Sequence, residues 1–405
     1  MTRATGNDES FMRRALALAR RGYGTTSPNP MVGAVLVKGG RIIGQGWHHC
    51  AGKPHAEIEA LRDAERRKNS PKGATLYVTL EPCCTHGRTP PCTDAIKAAG
   101  IKRVVAAATD PNPKHSGKGL TLLRKAGIEV LSCEGRARRS ARAVGGTAAK
   151  QRARSDAPYH ALAEEATKLN EAFNHWIVQR TPFVTVKAAM TLDGKIATAS
   201  GESKWITGEK ARAEGMRLRA GADAILIGVN TVLADDPGLT LRQPQSSKLQ
   251  AQKLRRIILD SQARTPLKAK VVSDEFAALT TIVVGKGALA KRVAALAKRV
   301  QVWTVPLRGG RIDLRWVLKK LGDEKVTSLL VEGGGEVNAS FLLGRFAQRV
   351  EFFYAPKILG GRDSRKAVAG EGARSLNEIL NLHDVEWRRV GEDLMMTARV
   401  EERKR

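Results

Sequence analysis

Apolar positions recur at helical spacing over Phe11–Arg20, and the spacing predicts a helix there. Ala34–Val37 and Ile42–Trp47 are apolar runs on either side of Gly39-Gly40, which predicts a hairpin. His55–Arg67 reads as a helix, Thr75–Leu80 as a strand, Cys92–Ala99 as a short helix and Arg103–Ala108 as a strand. A helix over Gly119–Ala126 and a strand over Ile128–Leu131 complete the pattern, whose β-β-α-β-α-β-α-β order predicts a mixed sheet with helices on both faces. Gly135–Leu162 breaks this rhythm: it is rich in Ala, Gly and Arg, shows no clear apolar period, and reads as a linker or insertion before a helix at Glu164–Phe173.

A second alternating pattern begins at Pro182. Strands are predicted at Phe183–Ala188, Ala224–Gly228, Arg256–Leu259, Thr281–Val284, Val300–Val305, Ser328–Val331 and Val350–Ala355. Helices are predicted at Gly208–Ala220, Leu289–Lys298, Leu314–Leu321 and Glu336–Leu343, with a closing hairpin over Val385–Val400 around Gly391. The fold class is therefore α/β in two domains. Residues 1-134 form the first, residues 135-180 a basic insertion and linker helix, and residues 181-405 the second. Length agrees, because one hydrophobic core rarely grows past roughly 250–300 residues, and the chain has 405.

Composition changes the picture in three places. Apolar residues at 42% and charged residues at 27% mark a globular chain. No apolar run approaches the ~18 residues that span a bilayer, and Met1–Ser10 is polar, so no membrane partner and a cytoplasmic location are expected. The formal net charge of +29 raises nucleic acid, membrane surfaces or anionic small substrates as partners. Basic residues concentrate once, in Arg136–Arg154, yet aromatics are only 4%, which argues against a single-strand stacking surface. Nucleic acid is disfavoured on that ground.

The five cysteines, Cys50, Cys83, Cys84, Cys92 and Cys133, all lie in the first third of the chain. Their odd number and clustering near histidines favour a metal over disulfides. His55 and Glu57, two residues apart at a helix start, diverge by about 200° around the axis and do not easily share one metal. A division of labour follows: His55 ligates and Glu57 reaches the substrate. Cys92, opening a helix after Pro90-Pro91, has its thiolate favoured there. Three ligands, His55, Cys83 and Cys92, leave a zinc ion (Zn2+) one open position, as catalysis requires. The pattern is that of zinc deaminases, in which H-x-E supplies a non-ligand acid/base and P-C-x-x-C two thiolates. Here eight residues, Cys84–Pro91, separate the cysteines. A structural zinc site is the competing reading, with His86, Cys84 or Cys50 as fourth ligand. Asn29, between Pro28 and Pro30, is rigidly placed and suited to hydrogen-bond a heterocycle or ribose.

These motifs together identify a family. Thr26-Ser27-Pro28-Asn29-Pro30, Gly46-Trp47-His48-His49, Pro54-His55-Ala56-Glu57, Thr79-Leu80-Glu81-Pro82-Cys83 and Gly87-Arg88-Thr89-Pro90-Pro91-Cys92 resemble the bifunctional deaminase–reductases of riboflavin biosynthesis, in which the long cysteine spacing is typical. Lys187–Ala197, Ser200–Thr207, Thr231–Pro237 and Val331–Gly335 are similar to that family's reductase domain, which is dihydrofolate-reductase-like, beside a cytidine-deaminase-like first domain. One departure is Cys84-Thr85-His86, where the family usually has Ser-His-His.

The resemblance implies hydrolytic deamination of a phosphoribosylaminopyrimidine, then NADPH-dependent reduction of its ribosyl group to ribityl, in a homo-oligomer. It implies His55, Cys83 and Cys92 as zinc ligands and Glu57 as proton shuttle. It places Asn29, His48 and Arg88 on the pyrimidine, and Ser203, Arg219, Leu239, Arg242 and Glu332 on the reductase substrate. It assigns Ala189, Trp205, Thr231, Asp235, Ser261, Gly334 and Gly335 to the cofactor. Arg219 and Arg242 are suited to clamp a phosphate bidentately, and Asp235 or Lys187 to assist proton transfer. Gly333-Gly334-Gly335, at a strand-to-helix turn, offers amides to a phosphate without forming the GxGxxG fingerprint of an ordinary Rossmann domain. The alternative is a nucleic-acid-editing zinc deaminase with a basic binding surface, which would not need the second-half motifs.

Overall fold

A computed structural model of the chain describes residues 6–86, 90–134, 147–241 and 254–401. It divides into two compact units, Met1–Gln179 and Arg180–Arg405. In the first unit, strands β1 (Gly33–Lys38), β2 (Arg41–Trp47), β3 (Thr75–Leu80), β4 (Arg103–Ala108) and β5 (Glu129–Ser132) form one sheet in the order β2-β1-β3-β4-β5. β1 runs antiparallel to β2 and β3, while β3, β4 and β5 are parallel. The hairpin prediction holds at its turn, where Gly39 and Gly40 take φ of 56° and 74°, the left-handed pair that a tight two-residue turn requires.

Helix Ala56–Arg66 lies against β2 at very short range. A Cβ at Gly46 would sit 2.5 Å from the Glu59 Cβ, and one at Gly44 would sit 2.4 Å from the Ala60 carbonyl oxygen. Those two glycines let the helix approach and so set the depth of Glu57.

The segment read as a linker or insertion differs from expectation. Its residues 135–146 lie outside the described residues, but Thr147–Leu169 is one helix, followed by Glu171–Gln179. Tyr159, Leu162, Ala163 and Ala166 are buried in the first unit's core. The helix forms because Ala, Arg, Lys and Gln are strong helix formers. Its apolar period is confined to the second half, which hid it within a long basic stretch.

In the second unit, nine strands form one sheet. They are β6 (Phe183–Thr191), β8 (Ala224–Gly228), β9 (Arg255–Leu259), β10 (Thr280–Gly285), β11 (Gln301–Val305), β14 (Ser328–Val331), β15 (Arg349–Ala355), β17 (Leu382–Val390) and β18 (Asp393–Val400). Their order is β11-β10-β9-β8-β14-β6-β15-β18-β17. β11 through β15 run parallel, and β18 and β17 add an antiparallel hairpin. Two short pairs stand apart, β12 (Leu307–Arg308) with β13 (Arg311–Ile312), and β7 (Lys195–Ala197) with β16 (Arg365–Lys366). Both faces of the parallel part are covered: Ala224, Leu226, Ile257 and Val283 pack in one core, and Ile225, Ile227, Ile258 and Ile282 in the other. Burial on both faces explains strands that are continuously apolar rather than alternating. No helix among the described residues is long and apolar enough to cross a membrane.

Candidate active sites

The three ligands expected from sequence come together. His55 Nδ1 lies 3.5 Å from Cys83 Sγ and 3.3 Å from Cys92 Sγ, and the three ligand atoms lie within 4.8 Å of one another. His55 is the residue before helix Ala56–Arg66 rather than its first turn, Cys83 follows the end of β3, and Cys92 begins helix Cys92–Ala98. The Cys92 backbone N–H donates to Cys83 Sγ over 3.3 Å. Hydrogen bonding from the Cys92 thiol, added to by His55 and that amide, lowers the Cys83 pKa despite burial, while the same contact and burial raise that of Cys92. One nitrogen and two sulfurs in a compact group suit zinc and leave a fourth position open. Among the described residues no fourth ligand joins the group, so Cys50, Cys84 and His86 do not fill that position.

Glu57 is outside the ligand group and 3% exposed. Burial first, then the Cys83 thiolate, pushes its carboxyl up to about 7. A carboxyl near neutrality can both accept and return a proton, which suits general acid–base work.

His48 is buried, and its ring meets that of His55 edge-on at 5.4 Å. Its Nδ1 lies 3.0 Å from the Pro54 carbonyl oxygen, which can only accept, so Nδ1 carries the proton. In the neutral ring Nε2 is then an acceptor, and the Asn29 amide nitrogen at 3.1 Å donates to it. Burial, with His55 and His49 nearby, lowers the His48 pKa and favours this neutral form. The Asn29 carboxamide oxygen is thereby turned away from His48. Arg88 lies outside the described residues.

Sequence reasoning quoted Glu81 inside a motif without giving it a role. It is buried, and its carboxylate accepts the backbone N–H groups of Asp110 (3.1 Å), Gly117 (2.9 Å), Gly119 (2.8 Å) and Leu120 (3.2 Å). It ties the end of β3, two residues before Cys83, to the start of helix Lys118–Lys125. An acidic residue before Pro-Cys was the available signal.

In the second unit, Arg219 forks onto Glu332 with two 2.8 Å bonds, Nε to Oε1 and Nη2 to Oε2. Lys187 Nζ stands 4.0 Å from Glu332 Oε2. Although burial opposes it, Arg219 and then Lys187 hold the Glu332 carboxyl down at about 2. The expected bidentate clamp of Arg219 on phosphate is corrected here. Its fork is spent on Glu332, and the remaining Nη1 points to the Thr240 carbonyl at 3.4 Å. Arg242, its expected partner, lies outside the described residues. Leu239 has φ of 52° and is buried, with its side chain packed in the core.

Ser203 Oγ donates to Asp235 Oδ1 over 3.3 Å. Trp205 is exposed, with the Arg212 guanidinium 4.6 Å above its ring. Ala189 lies on β6, half-buried beside Phe353. Gly334 precedes the nine-residue helix Gly335–Leu343 and makes no side-chain capping bond. A Cβ at Gly335 would sit 2.3 Å from the Lys366 carbonyl oxygen, whereas one at Gly334 would meet nothing nearer than Thr231 Oγ1 at 3.9 Å. Gly334 thus leaves open space beside Thr231 at the start of the helix, and that space fits a cofactor phosphate. Ser261 follows β9 and lines a cavity of about 930 Å³ with Asn230, Glu336 and Val337.

Comparison with known proteins bears on both units. Residues 182–396 match the model for the RibD C-terminal domain, and residues 5–108 match the cytidine and deoxycytidylate deaminase zinc-binding region. Riboflavin biosynthesis protein RibD of Aquifex aeolicus is 45% identical over 96% of this chain and 97% of its own length. That of Actinobacillus pleuropneumoniae is 41% identical over 97% and 95%. Among solved structures, Acinetobacter baumannii RibD, form 1, matches with a TM-score of 0.80 at 32% identity, covering 98% of this chain and 99% of that one. A Thermotoga maritima diaminohydroxyphosphoribosylaminopyrimidine deaminase/5-amino-6-(5-phosphoribosylamino)uracil reductase matches at 0.76 and 33%, with coverage of 98% and 99%.

Proposed function

The chain belongs to the RibD family of bifunctional riboflavin-biosynthesis enzymes, a zinc-dependent deaminase joined to an NADPH-dependent reductase, and from that premise we propose how its own residues divide the two reactions. The first unit hydrolyses 2,5-diamino-6-(5-phosphoribosylamino)pyrimidin-4(3H)-one. Water replaces the 2-amino group, and the products are ammonia and 5-amino-6-(5-phosphoribosylamino)uracil. The second unit reduces the ribosyl group of that uracil to ribityl. By residue number, 1-134 carries deamination, 135-180 adds to that unit a helix with residues in its core before leading into the second, and 181-405 carries reduction.

His55, Cys83 and Cys92 hold the zinc. When bound, the metal supplies a Lewis acid that makes water nucleophilic near neutral pH. Glu57 takes the proton that water loses and passes it to the ring nitrogen, then carries the proton of the hydroxyl added to the ring carbon to the amine, which leaves as ammonia while the carbonyl forms. The observation that carries this reading is a buried carboxyl beside the three-ligand group but outside it. Asn29, oriented by His48, and Arg88 hold the pyrimidine.

In the reductase, bound NADPH supplies the hydride. Glu332, held ionised by Arg219 and Lys187, accepts hydrogen bonds from the ribose hydroxyls. Arg242 meets the phosphate, with Ser203 and Leu239 beside it. Asp235 and Lys187 are the groups that move the ring-opening proton. Ala189, Trp205, Thr231, Asp235, Ser261, Gly334 and Gly335 line the cofactor's path.

A coupled assay tests the division of labour. Glu57→Gln is expected to lose deamination by about 10²–10⁴-fold and to keep reduction of supplied uracil intermediate with NADPH. Loss of both activities in a folded, zinc-loaded variant overturns the assignment.

The proposed setting is the cytoplasm, with an anionic small molecule rather than nucleic acid as the target of the basic surface. A homo-oligomer is the proposed assembly. β17, at the edge of the nine-stranded sheet, supports it: every residue from His383 to Arg389 is exposed, including Trp387. Sedimentation velocity tests the assembly, and a monomer at micromolar concentration counts against it.

A further inference from the structure

The β12–β13 pair carries an electrostatic conflict. Its turn is Gly309-Gly310, with φ of 55° and 74°, and the residues flanking it are Arg308 and Arg311. The two are directly registered across the strands. Like charges opposite one another on a two-stranded ribbon are destabilising. Among the described residues neither arginine has a carboxylate partner, and both are exposed.

Both arginines line the 930 Å³ cavity that also contains Ser261, Asn230, Glu336 and Val337. Three carboxylates line that cavity as well. Asp313 accepts the Arg315 backbone N–H at 2.9 Å, Glu336 accepts that of Gly370 at 3.2 Å, and Glu371 pairs with Arg374 at 3.4 Å. None of them forms an ion pair with Arg308 or Arg311, whose guanidinium groups stand across the hairpin beside a cavity large enough for a nucleotide. A dianionic phosphate monoester removes the conflict by accepting from both forks.

We propose that Arg308 and Arg311 read the 2′-phosphate of NADPH and so select it over NADH. The inference rests on the reading above that this cavity takes the cofactor. The lining favours the 2′-phosphate over the substrate's own phosphate. Ser261, assigned above to the cofactor, lines the cavity together with both arginines, and so do Glu336 and Val337 of the helix that Gly335 begins. The substrate residues Ser203, Arg219 and Glu332 do not line it.

Calorimetric titration of the full chain with NADPH, NADH, adenosine 2′,5′-bisphosphate and AMP tests this. In Arg308→Ala/Arg311→Ala the Kd for NADPH and for the bisphosphate is expected to rise by about tenfold or more, the loss of one to two charge-assisted bonds. NADH and AMP should stay within about twofold. The thermal midpoint without ligand should hold or rise, because a repulsion has been removed. Arg308→Lys/Arg311→Lys should fall between wild type and the alanine variant, since it keeps charge and loses the fork. Equal weakening of NADPH and NADH, or unchanged NADPH, overturns the proposal while leaving the cofactor site in place. A wild type that binds neither cofactor overturns both. A raised KM for the pyrimidine with unaltered NADPH affinity would assign the arginines to the substrate phosphate and also overturn it.

Discussion

Glu81→Gln isolates a residue that touches neither metal nor substrate. The wild-type carboxylate gathers four backbone N–H groups on two oxygens, Gly119 and Leu120 on one, Asp110 and Gly117 on the other. Glutamine keeps one acceptor oxygen and turns its amide N–H2 toward the other two donors. Two buried amides lose their partners, and the remaining two bond a neutral group. A bond to a buried charged acceptor contributes about 1.5–3 kcal/mol, so the loss is roughly 3–5 kcal/mol. In a unit of this size 1 kcal/mol moves the midpoint about 2–4 °C, which predicts a fall of roughly 10 °C in the deaminase transition. The metal group should feel it too. Gly119, whose amide is one of the four, is packed so tightly that a Cβ there would lie 2.2 Å from the Pro82 carbonyl oxygen, beside Cys83. Loss of a residue that orients a ligand typically costs 10–100-fold in metal affinity, and that range is expected for zinc. Calorimetric melts with and without zinc, and a chelator competition, measure both. A midpoint within about 2 °C of wild type together with zinc affinity within about twofold would refute the reasoning.

Other substitutions probe different joints. Asp8 accepts from Arg103 (2.8 and 2.9 Å), Tyr77 (2.6 Å) and Tyr159 (3.2 Å), so Asp8→Asn should cost about 3 kcal/mol and uncouple helix Thr147–Leu169, read by limited proteolysis at that helix. Burial pushes the Asp8 carboxyl up, but Arg103 and the tyrosines outweigh it and hold it below its ordinary value. Its stabilisation is thus present above the unfolded pKa of about 3.9 and is lost as pH falls through the lower folded value. Acid titration of stability should show that loss in wild type and not in Asp8→Asn. Cys84→Ser should keep one zinc per chain by elemental analysis, because Cys84 stands outside the ligand group; a metal-free variant would return Cys84 to the first coordination sphere.

Local structure was largely legible in the sequence. Thr75–Leu80, Arg103–Ala108, Ala224–Gly228 and Ser328–Val331 have the predicted bounds, since each is an apolar run between turn residues. The short helix Val229–Asp235 was not read, because it follows β8 directly, with Gly228 ending the strand and capping the helix, and continues the same apolar run. The order of the nine strands was not legible either: β6 lies between β14 and β15, and no local pattern encodes which parallel neighbours meet. At the metal site, residue type and spacing were enough for His55, Glu57, Cys83 and Cys92. The Arg219–Glu332 fork and the role of Glu81 depend on groups far apart in the chain, and only the fold brings them within bonding distance.

The place of β6 inside its sheet, between β14 and β15, has a consequence in time. Both neighbours of β6 are made late, and β15 in turn needs β18, which ends at Val400. At a translation rate of about 5–20 residues per second, on the order of ten to forty seconds separate β6 from its last required neighbour. Throughout that interval its apolar faces wait uncovered on the ribosome. The first unit, whose strands are all made by Ser132, has by then emerged. A chain cut short before β18 is therefore expected to hold every strand of the first unit's sheet and an incomplete sheet in the second.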